Sequence, residues 1–372
     1  MPARWRALLA NPGTAQLNPP GCLQGLPVLS DAYYLFAAAG IVNRLVSFLA
    51  SRSLQGRVER LQAHDYPGWL AEAQFNGPVY RLNDFVIDTK ALLQRLADAA
   101  SNSGPSVDAQ HPGHTHPASR LLLAHVHGIR ATATQVQLQL QVQLRPDAPM
   151  GAGENTEVEE VEVDAQRLLL CAGAGNAALL NRMQRAAPAM QLRPLHQVWV
   201  RRTCSTPAEA QQTDLPIAFA HCLSGARSSE PRLTITTHAG SRGNLWSLGG
   251  ALATQGVHRT QRQQIEFART ELAACVPWLS TANLQFATAL IDRAEPHTPT
   301  GVRPDHAYVH YANGVFACWP TKLTLAPDLA DRVVALIKMQ QLRPRADVNV
   351  DRLAQCPAPG VSIPVWEQLA WN

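Results

Sequence analysis

An unbroken alternation of apolar residues and glutamines constrains the fold of this chain more than any other feature. Residues Thr134–Leu144 read TQVQLQLQVQL. Because successive side chains of a strand point to opposite faces, this pattern predicts a β-strand with one apolar and one polar face. The segments Leu121–Ile129 and Glu157–Val163 alternate as well. Together, the three segments predict an antiparallel meander with one solvated face.

The segment after the meander predicts a strand, a tight turn and a helix. Arg167–Cys171 reads RLLLC, a continuous apolar run typical of a strand that is buried on both faces. The small residues Ala172, Gly173 and Ala174 follow, and a helix is predicted at Ala177–Ala187. Such a turn allows close approach of a ligand, and the helix N-terminus attracts an anion such as a pyrophosphate. Glycine and alanine also permit close packing of a helix on a sheet, so the turn alone leaves both interpretations open.

The remaining patterns predict elements on both sides of this region. Upstream they are a helix at Arg4–Ala10, a strand at Pro27–Leu35, a helix at Ile41–Arg52, a strand at Pro78–Arg81, a turn at Asp84–Asp88, and a helix that buries Leu92, Leu93, Leu96 and Ala100. Downstream, strands at Leu195–Thr203, Ile217–His221, Arg232–His238 and Asn244–Leu248 predict a large antiparallel sheet. A helix at Gln261–Cys275, strands at Ala287–Asp292, Ala307–Tyr311 and Val315–Trp319, and a helix carrying Leu329, Val333, Leu336 and Ile337 follow.

The composition indicates a globular chain with a large core. Of its 372 residues, 46% are hydrophobic and 16% are charged, which favours two domains. The net charge of +4 is spread along the sequence without a block of Lys or Arg, so we expect no nucleic-acid partner. No apolar run approaches the roughly 20 residues of a membrane helix, and the N-terminus lacks the apolar region of a signal peptide. We therefore expect no membrane span and a cytoplasmic location.

Metal and nucleophile sites find little support in the sequence. Three histidines, His111, His114 and His116, lie in the segment HPGHTHP. A metal site needs ligands of fixed geometry, whereas this segment is typical of a solvated surface loop, so no metal is expected. No Walker A, HExxH, GxSxG or CxxC sequence occurs. The seven cysteines are therefore interpreted as buried or free thiols.

Candidates for a general base are equally weak. Asp292 and Glu295 could form an acid–base pair, but the neighbouring Arg293 favours a surface ion pair. Histidines also lie in predicted strands, where a core histidine with satisfied hydrogen bonds is more common than a catalytic base. These are His196, His221, His238 and His310. We therefore assign no general base.

A second turn, near the end of the chain, resembles the first in character. Trp319–Pro327 reads WPTKLTLAP, which predicts a strand, a polar turn and a helix with Pro327 and Asp328 in its first turn. The positive end of that helix would suit a negatively charged group. The loop before this strand contains Gly301–Asp305, GVRPD, and so places Arg303 upstream of the turn.

From Leu26 to about Ile337 the chain resembles the FAD-dependent oxidoreductases of the D-amino-acid oxidase and glycine oxidase superfamily. Four segments carry the resemblance: Arg167–Asn176 (RLLLCAGAGN), Arg193–Gln197 (RPLHQ), Gly301–Asp305 (GVRPD) and Trp319–Pro327 (WPTKLTLAP). The resemblance implies an α/β (α+β) fold, with a Rossmann-like FAD-binding domain that carries the β-meander and an antiparallel-sheet substrate domain. We expect the FAD-binding domain at residues 1–25, 85–190 and 288–345, the substrate or cap domain at 26–84 and 191–287, and an irregular tail at 346–372.

The same resemblance implies roles for particular residues. The family places the first turn against the ADP side of FAD and the second against the flavin ring. The ADP side would contact Ala172, Gly173 and Ala174, and the ring would contact Thr321, Lys322, Leu323 and Thr324. Arg303 would pair with a substrate carboxylate, and the implied reaction is hydride transfer from a small amine, amino acid or hydroxy acid to the flavin. The implied partner is thus a small-molecule substrate.

Two departures from the family pattern qualify these implications. The second turn is rich in glycine in the family but contains Lys322 here. A lysine at that place could stabilise the anionic reduced ring, hold the water through which oxygen reacts, or lie at the surface without a role. The opening βαβ unit with its GxGxxG turn is not found before residue 121, so we expect an incomplete FAD-binding domain that lacks this N-terminal unit.

The expected incompleteness leaves alternatives open. The first βαβ unit could be missing through a misassigned start or through a true loss. The chain could accordingly be an active FAD-dependent oxidoreductase, or a flavin-incompetent remnant or interaction protein built on the same fold.

Overall fold

The computed structural model describes residues 2–10, 23–37, 58–102, 106–107, 115–116, 120–143, 158–203, 214–223, 230–342, 356 and 358–372. The helices in these ranges are α1 (Pro2–Ala10), α2 (Gly68–Ala71), α3 (Thr89–Asn102), α4 (Gly175–Arg182), α5 (Ala251–Thr254), α6 (Gln261–Cys275) and α7 (Ala326–Met339). The strands are β1 (Val28–Ser30), β2 (Tyr33–Phe36), β3 (Val58–Arg60), β4 (Val79–Leu82), β5 (Val86–Ile87), β6 (Ser106–Val107), β7 (Thr115–His116), β8 (Ala124–Ala131), β9 (Val136–Gln143), β10 (Val158–Ala165), β11 (Leu168–Leu170), β12 (Met190–Arg202), β13 (Phe219–Cys222), β14 (Leu233–Gly240), β15 (Gly243–Gly249), β16 (Leu284–Pro296), β17 (Tyr308–Ala312) and β18 (Val315–Trp319). Short 3-10 turns lie at Ala63–Asp65, Leu323–Leu325 and Val365–Glu367. The predicted helix Ile41–Arg52, His111 and His114 fall outside the described residues.

The chain divides into two compact units. Unit 1 consists of Met1–Pro27, Asp88–Arg193 and Arg293–Ser362, and unit 2 consists of Val28–Ile87, Pro194–Asp292 and Ile363–Asn372. The predicted domain boundaries fall close to these. The tail differs, because its last residues belong to unit 2. Which unit holds a cofactor and which a substrate stays a prediction.

The predicted meander forms one sheet of unit 1. Its strand order is β10-β9-β8, with antiparallel pairing throughout. Val136 and Val142 on the apolar face are fully buried, whereas Gln139 on the other face is exposed. Leu140 lies opposite Val161. The alternation of Thr134–Leu144 thus correctly predicted both the strand and its two faces.

A second sheet of unit 1 has the order β11-β18-β17. As predicted, β11 is a parallel strand, with Leu170 opposite Ala317 of β18. One face of the sheet packs against Leu180 of α4, and the other packs Phe316 against α7. The predicted burial of β11 on both faces is wrong, because Leu169 is 42% exposed. Within the described residues, β11 is the edge of this sheet, so Leu169 has a strand neighbour on one side only.

Two helices of unit 1 differ from their predicted form. The first, α4, ends at Arg182 instead of Ala187, because Gln184 adopts a left-handed φ of 56° and the Arg185 N–H donates to the Leu180 carbonyl at 3.0 Å. In α3, Leu92 is buried as predicted, but Leu93 and Leu96 are 53% and 45% exposed. Helical spacing buries an apolar stripe only where another element covers it, and the described residues leave these two leucines uncovered.

Two regions in the first third of the chain contain more strands than predicted. The expected single strand Pro27–Leu35 is two strands, β1 and β2, because the Ser30 hydroxyl bonds to the backbone of Ala32 and turns the chain. The first pairs with β5, and the second enters a large sheet. Within the expected loop 101–118, β6 and β7 pair with each other.

The large sheet of unit 2 has the order β16-β12-β15-β14-β13-β2-β4-β3. The pairs β12–β15, β15–β14, β14–β13, β2–β4 and β4–β3 are antiparallel, and β13 pairs with β2 in parallel. Trp246 and Phe286 are fully buried in its core, together with Leu272 of α6. The bounds of α6 are those predicted, and Thr260 and Gln263 form a capping box at its start. The sequence therefore predicted this sheet and the strands at β2 and β4, but not the strand β3.

The C-terminal segment is more ordered than the predicted irregular tail. The backbones of Phe286 and Asn372 exchange two hydrogen bonds of 2.8 Å. Arg201 lies over the ring of Trp371, with 4.1 Å between the guanidinium carbon and the ring centroid. Residues 363–372 are thus held within unit 2 by strand-like pairing and a cation–π contact. None of the helices in the described ranges has the length and apolar character required to cross a membrane.

Candidate functional site

The first predicted turn connects β11 to α4 in unit 1. Gly173 has a left-handed φ of +58°, which glycine adopts without strain. Around the position that a Cβ atom would occupy there, the space is open to 4 Å. Close packing of the helix on the sheet therefore does not account for this glycine. The turn needs it for its conformation and keeps the space beside its backbone free.

The start of α4 is open to an anion. Two backbone hydrogen bonds form the turn before this helix. The Gly175 N–H donates to the Ala172 carbonyl at 3.0 Å, and the Asn176 N–H donates to the Gly173 carbonyl at 3.3 Å. Ala174 precedes the helix and gives it no side-chain cap. A helix start without a capping side chain presents the positive end of the helix dipole. Ala174 and Gly175 are exposed, so a negatively charged ligand can reach this end.

Two side chains hold this turn against β18. The Asn176 side chain, which is fully buried, accepts from the Ala172 N–H at 2.8 Å and donates to the Cys318 carbonyl at 3.2 Å. The Trp319 indole N–H donates to the Gly173 carbonyl at 3.1 Å. The turn is therefore tied to the strand that leads directly into the second predicted turn. The sequence alone assigns no role to Asn176, and its only signal is an asparagine directly after a run of small residues.

The second predicted turn follows Trp319. Thr321 has a left-handed φ of 60°, and its hydroxyl donates to the His306 carbonyl at 3.3 Å. Lys322, Leu323 and Thr324 are exposed. The Thr324 carbonyl accepts from the indole N–H of Trp5 at 3.0 Å. Helix α7 begins two residues later, at Ala326, with Pro327 in its first turn and no capping side chain.

Two cations lie within electrostatic reach of each other at this turn. Partial burial and the positive charge of Arg303 lower the pKa of Lys322, and Asp305 opposes them by raising it. The Arg303 Nε is buried and has no hydrogen-bond partner among the described atoms. The structure thus brings together Arg303 and Lys322, which are the two residues predicted to meet a substrate or the flavin. A carboxylate placed between them would gain charge-assisted hydrogen bonds.

The predicted surface ion pair at Glu295 is wrong. Glu295 is only 2% exposed, and its carboxylate pairs with Arg193 rather than with the neighbouring Arg293. Adjacent residues of a strand point to opposite faces, so Arg293 and Glu295 share a face, but Arg293 instead donates to the Arg193 carbonyl at 3.2 Å. One oxygen of Glu295, Oε2, has no hydrogen-bond partner among the described atoms.

Two of the histidines in strands, His196 and His221, make hydrogen bonds typical of structural residues. His196 is buried and bonds to the Gly256 carbonyl and the Thr288 hydroxyl at 3.0 and 3.2 Å. His221 bonds to the Thr234 hydroxyl at 2.8 Å, and its burial lowers its pKa to about 4. A histidine with so low a pKa stays neutral at physiological pH. Among the described residues, no three His, Cys, Asp or Glu side chains cluster as a metal site would require.

The chain matches known proteins in sequence and in structure. No protein-family model matches it. It is 37% identical over 372 residues to the probable FAD-dependent oxidoreductase PA4991 of Pseudomonas aeruginosa, covering 99% of this chain and 80% of that protein. The crystal structure of PA4991 superposes with a TM-score of 0.69 at 34% identity, covering 99% of this chain and 81% of that one. The L-proline dehydrogenase from P. horikoshii shares the fold, with a TM-score of 0.54 at 10% identity over 87% of this chain and 76% of that one.

Proposed function

Because this chain belongs to the family of FAD-dependent oxidoreductases, we propose that it oxidises a small amine, amino acid or hydroxy acid with FAD held by the two turns of unit 1. When bound, FAD supplies the electron acceptor for the C–H bond next to the amine or hydroxyl group. The residues of this chain have three tasks: they bind the cofactor, orient the substrate and provide positive charge.

The features of the first turn fit a diphosphate. Gly173 keeps the space beside its backbone open, and α4 starts without a capping side chain. In this arrangement Ala172, Gly173 and Ala174 would contact the ADP side of FAD through their backbone, and the positive end of α4 would face the phosphates. The exposure of Ala172 and Ala174 is consistent with this role.

The pair of cations Arg303 and Lys322 is the observation that carries the proposal. The positive charge of Arg303 contributes to the lowered pKa of Lys322, so each group gains from an anion near both of them. The buried Nε of Arg303 has no partner among the described atoms, and a substrate carboxylate would supply one. Thr321, Lys322, Leu323 and Thr324 would then contact the flavin ring. The Lys322 ammonium would stabilise negative charge on it.

The experiment has two stages. The purified chain is first titrated with FAD, and bound flavin is measured by its visible absorbance after gel filtration. Loaded protein is then mixed without oxygen with amino acids, hydroxy acids and simple amines, and loss of flavin colour identifies substrates. A chain that stays colourless and takes up no FAD would contradict the proposal and favour the alternative, an interaction protein or remnant on this fold.

A pair of arginine variants tests the substrate class. We expect Arg303→Ala to lower kcat/KM about 10–100-fold for substrates with a carboxylate, since a hydrogen bond to a charged group contributes about 1.5–3 kcal/mol. Simple amines should lose much less. The matched control is Arg242→Ala, at an exposed arginine between β14 and β15 in unit 2. Equal losses for carboxylate and amine substrates would contradict the assigned role of Arg303.

A further inference from the structure

Two cysteines lie side by side next to the first turn. Cys171 directly follows β11, and Cys318 lies in β18. The parallel register pairs Leu170 with Ala317, so the next residues along the two strands, Cys171 and Cys318, lie opposite each other. Neighbouring strands are about 4.7–4.9 Å apart. That spacing is within the roughly 4.4–6.8 Å between Cα atoms that a disulfide spans.

The two side chains also point to the same face of the sheet. Phe316 and Cys318 face α7, and Leu169 lies opposite Phe316. Because side chains alternate along a strand, Cys171 shares the face of Leu169 and therefore that of Cys318. The two thiols also influence each other's pKa, which is lowered at Cys171 and raised at Cys318. Geometry therefore permits a bond between the two sulfur atoms.

The two thiols differ in accessibility and in acidity. Cys171 is exposed, whereas Cys318 is 1% exposed. The hydrogen bond from the Cys318 thiol lowers the pKa of Cys171 to about 7, although burial raises it. The same hydrogen bond and burial raise the pKa of Cys318. Near neutral pH, Cys171 is thus an accessible nucleophile with a protonated thiol beside it.

A second cysteine pair lacks this combination. Cys222 and Cys275 in unit 2 also interact with each other, but each is 2% exposed. The hydrogen bond and burial raise the pKa of Cys222. Neither member is accessible, so this pair serves as an internal control for reactivity.

We propose that Cys171 and Cys318 form a redox-active dithiol that hydroperoxides convert into an intramolecular disulfide. The Cys171 thiolate attacks a peroxide oxygen. An S–O bond forms, the O–O bond breaks, and the second oxygen takes up a proton and leaves as an alcohol or water. This step oxidises Cys171 to a sulfenic acid and reduces the peroxide. The Cys318 sulfur then attacks the Cys171 sulfur, the S–O bond breaks, and hydroxide leaves as water with the Cys318 proton.

The disulfide would add a covalent link to a region already joined by hydrogen bonds. Asn176 and Trp319 connect the first turn to β18, and β18 leads into the second turn. The new bond would join the start of the first turn to the same strand. This proposal does not depend on the proposed function, because the disulfide can form in the protein without FAD.

The test uses the full chain with Cys22→Ser and Cys204→Ser, two positions outside the described residues. Reduced protein is treated with equimolar hydrogen peroxide at pH 7, the remaining thiols are alkylated, and peptides are mapped by mass spectrometry. We expect one cross-linked peptide that contains Cys171 and Cys318 and disappears on reduction. Cys222 and Cys275 should stay reduced. Intact Cys171 after this treatment, or its oxidation without a cross-link, would overturn the proposal.

A Cys318→Ala variant separates reactivity from mere proximity. It should leave a sulfenic acid on Cys171 that dimedone traps. Because the variant removes the donated hydrogen bond, we expect the pH of half-maximal alkylation of Cys171 to rise from about 7 toward the ordinary thiol value of about 8.5. An unchanged pH profile would show that Cys318 does not activate Cys171. If this variant does not fold, the cross-link in the parent chain still decides the proposal.

Discussion

The indole N–H of Trp319 donates a hydrogen bond of 3.1 Å to the carbonyl oxygen of Gly173, a residue 146 positions earlier in the chain. Trp319 is the last residue of β18 and immediately precedes the second turn, while Gly173 lies in the middle of the first. Asn176 adds a parallel connection through the Cys318 carbonyl. The positions of the two turns within unit 1 are therefore coupled by hydrogen bonds.

We expect Trp319→Phe to weaken FAD binding by about fivefold or more. The variant keeps an aromatic ring in the core but loses the hydrogen bond to Gly173, whose contribution to stability is about 1 kcal/mol. Flavin titration and urea unfolding measure the two effects. The matched control is Trp246→Phe in unit 2, where a buried tryptophan likewise donates to a backbone carbonyl, that of Pro216, at 2.8 Å. Equal losses of FAD affinity in both variants would contradict a specific role for Trp319.

We expect Asn176→Ala to lower the free energy of unfolding by about 2 kcal/mol, because it leaves the Ala172 N–H and the buried Cys318 carbonyl without their partner. Asn181→Ala on the same helix provides the control, since Asn181 is exposed. The measurement is equilibrium urea unfolding of both variants. A difference between them below about 0.5 kcal/mol would mean that Asn176 does not hold the turn.

We expect Gly173→Ala to reduce FAD affinity by about tenfold, which corresponds to about 1.4 kcal/mol. The added methyl group meets no protein atom within 4 Å but occupies the open space beside the turn. Because the backbone at position 173 has a left-handed φ, an alanine there also lowers the stability of the folded chain by about 1 kcal/mol. Gly25→Ala is the control, because Gly25 has a φ of +69° and an ordinary contact of 3.8 Å at the Cβ position. We predict similar losses of stability in the two variants and a larger loss of FAD affinity in Gly173→Ala.

We expect stability to fall as the pH decreases from about 6.5 to about 4, with a contribution of about 3 kcal/mol from His221. Burial lowers the pKa of His221 from its ordinary 6.5 to about 4. In this pH window the unfolded chain therefore binds a proton that the folded chain does not. The stability that His221 contributes is fully present above pH 6.5 and is lost as the pH falls toward 4. Urea midpoints at several pH values should show a flatter dependence for His221→Gln, whereas His258→Gln, at an exposed histidine, should follow the parent chain.

Local patterns predicted the elements well. The alternation of Thr134–Leu144 specifies a strand and its two faces because the period of a strand is independent of what the strand packs against. The bounds of α6 follow from its apolar spacing, its cap at Thr260 and the stop before Pro277. Burial depends in addition on a partner, which explains why Leu93, Leu96 and Leu169 were expected inside and are exposed.

Pairings between distant residues could not be predicted in this way. Glu295 pairs with Arg193, which is 102 positions away, and β2 joins β13 through the register of Tyr34 with Ala220. Cys171 and Cys318 are likewise far apart in the sequence, so local patterns could not predict that they are neighbours. At the candidate site, the sequence singled out Arg303 and Lys322, and the structure brings their charges into electrostatic reach. Their roles toward a substrate and the flavin stay predictions.

The central claim, that FAD binds at the two turns of unit 1, is tested most directly by hydrogen exchange of the backbone amides with and without FAD. We expect FAD to protect the amides of residues 172–178 and 321–325 and to leave those of β14 and β15 in unit 2 unchanged. Protein that binds FAD stoichiometrically without protecting these two segments would contradict the claim.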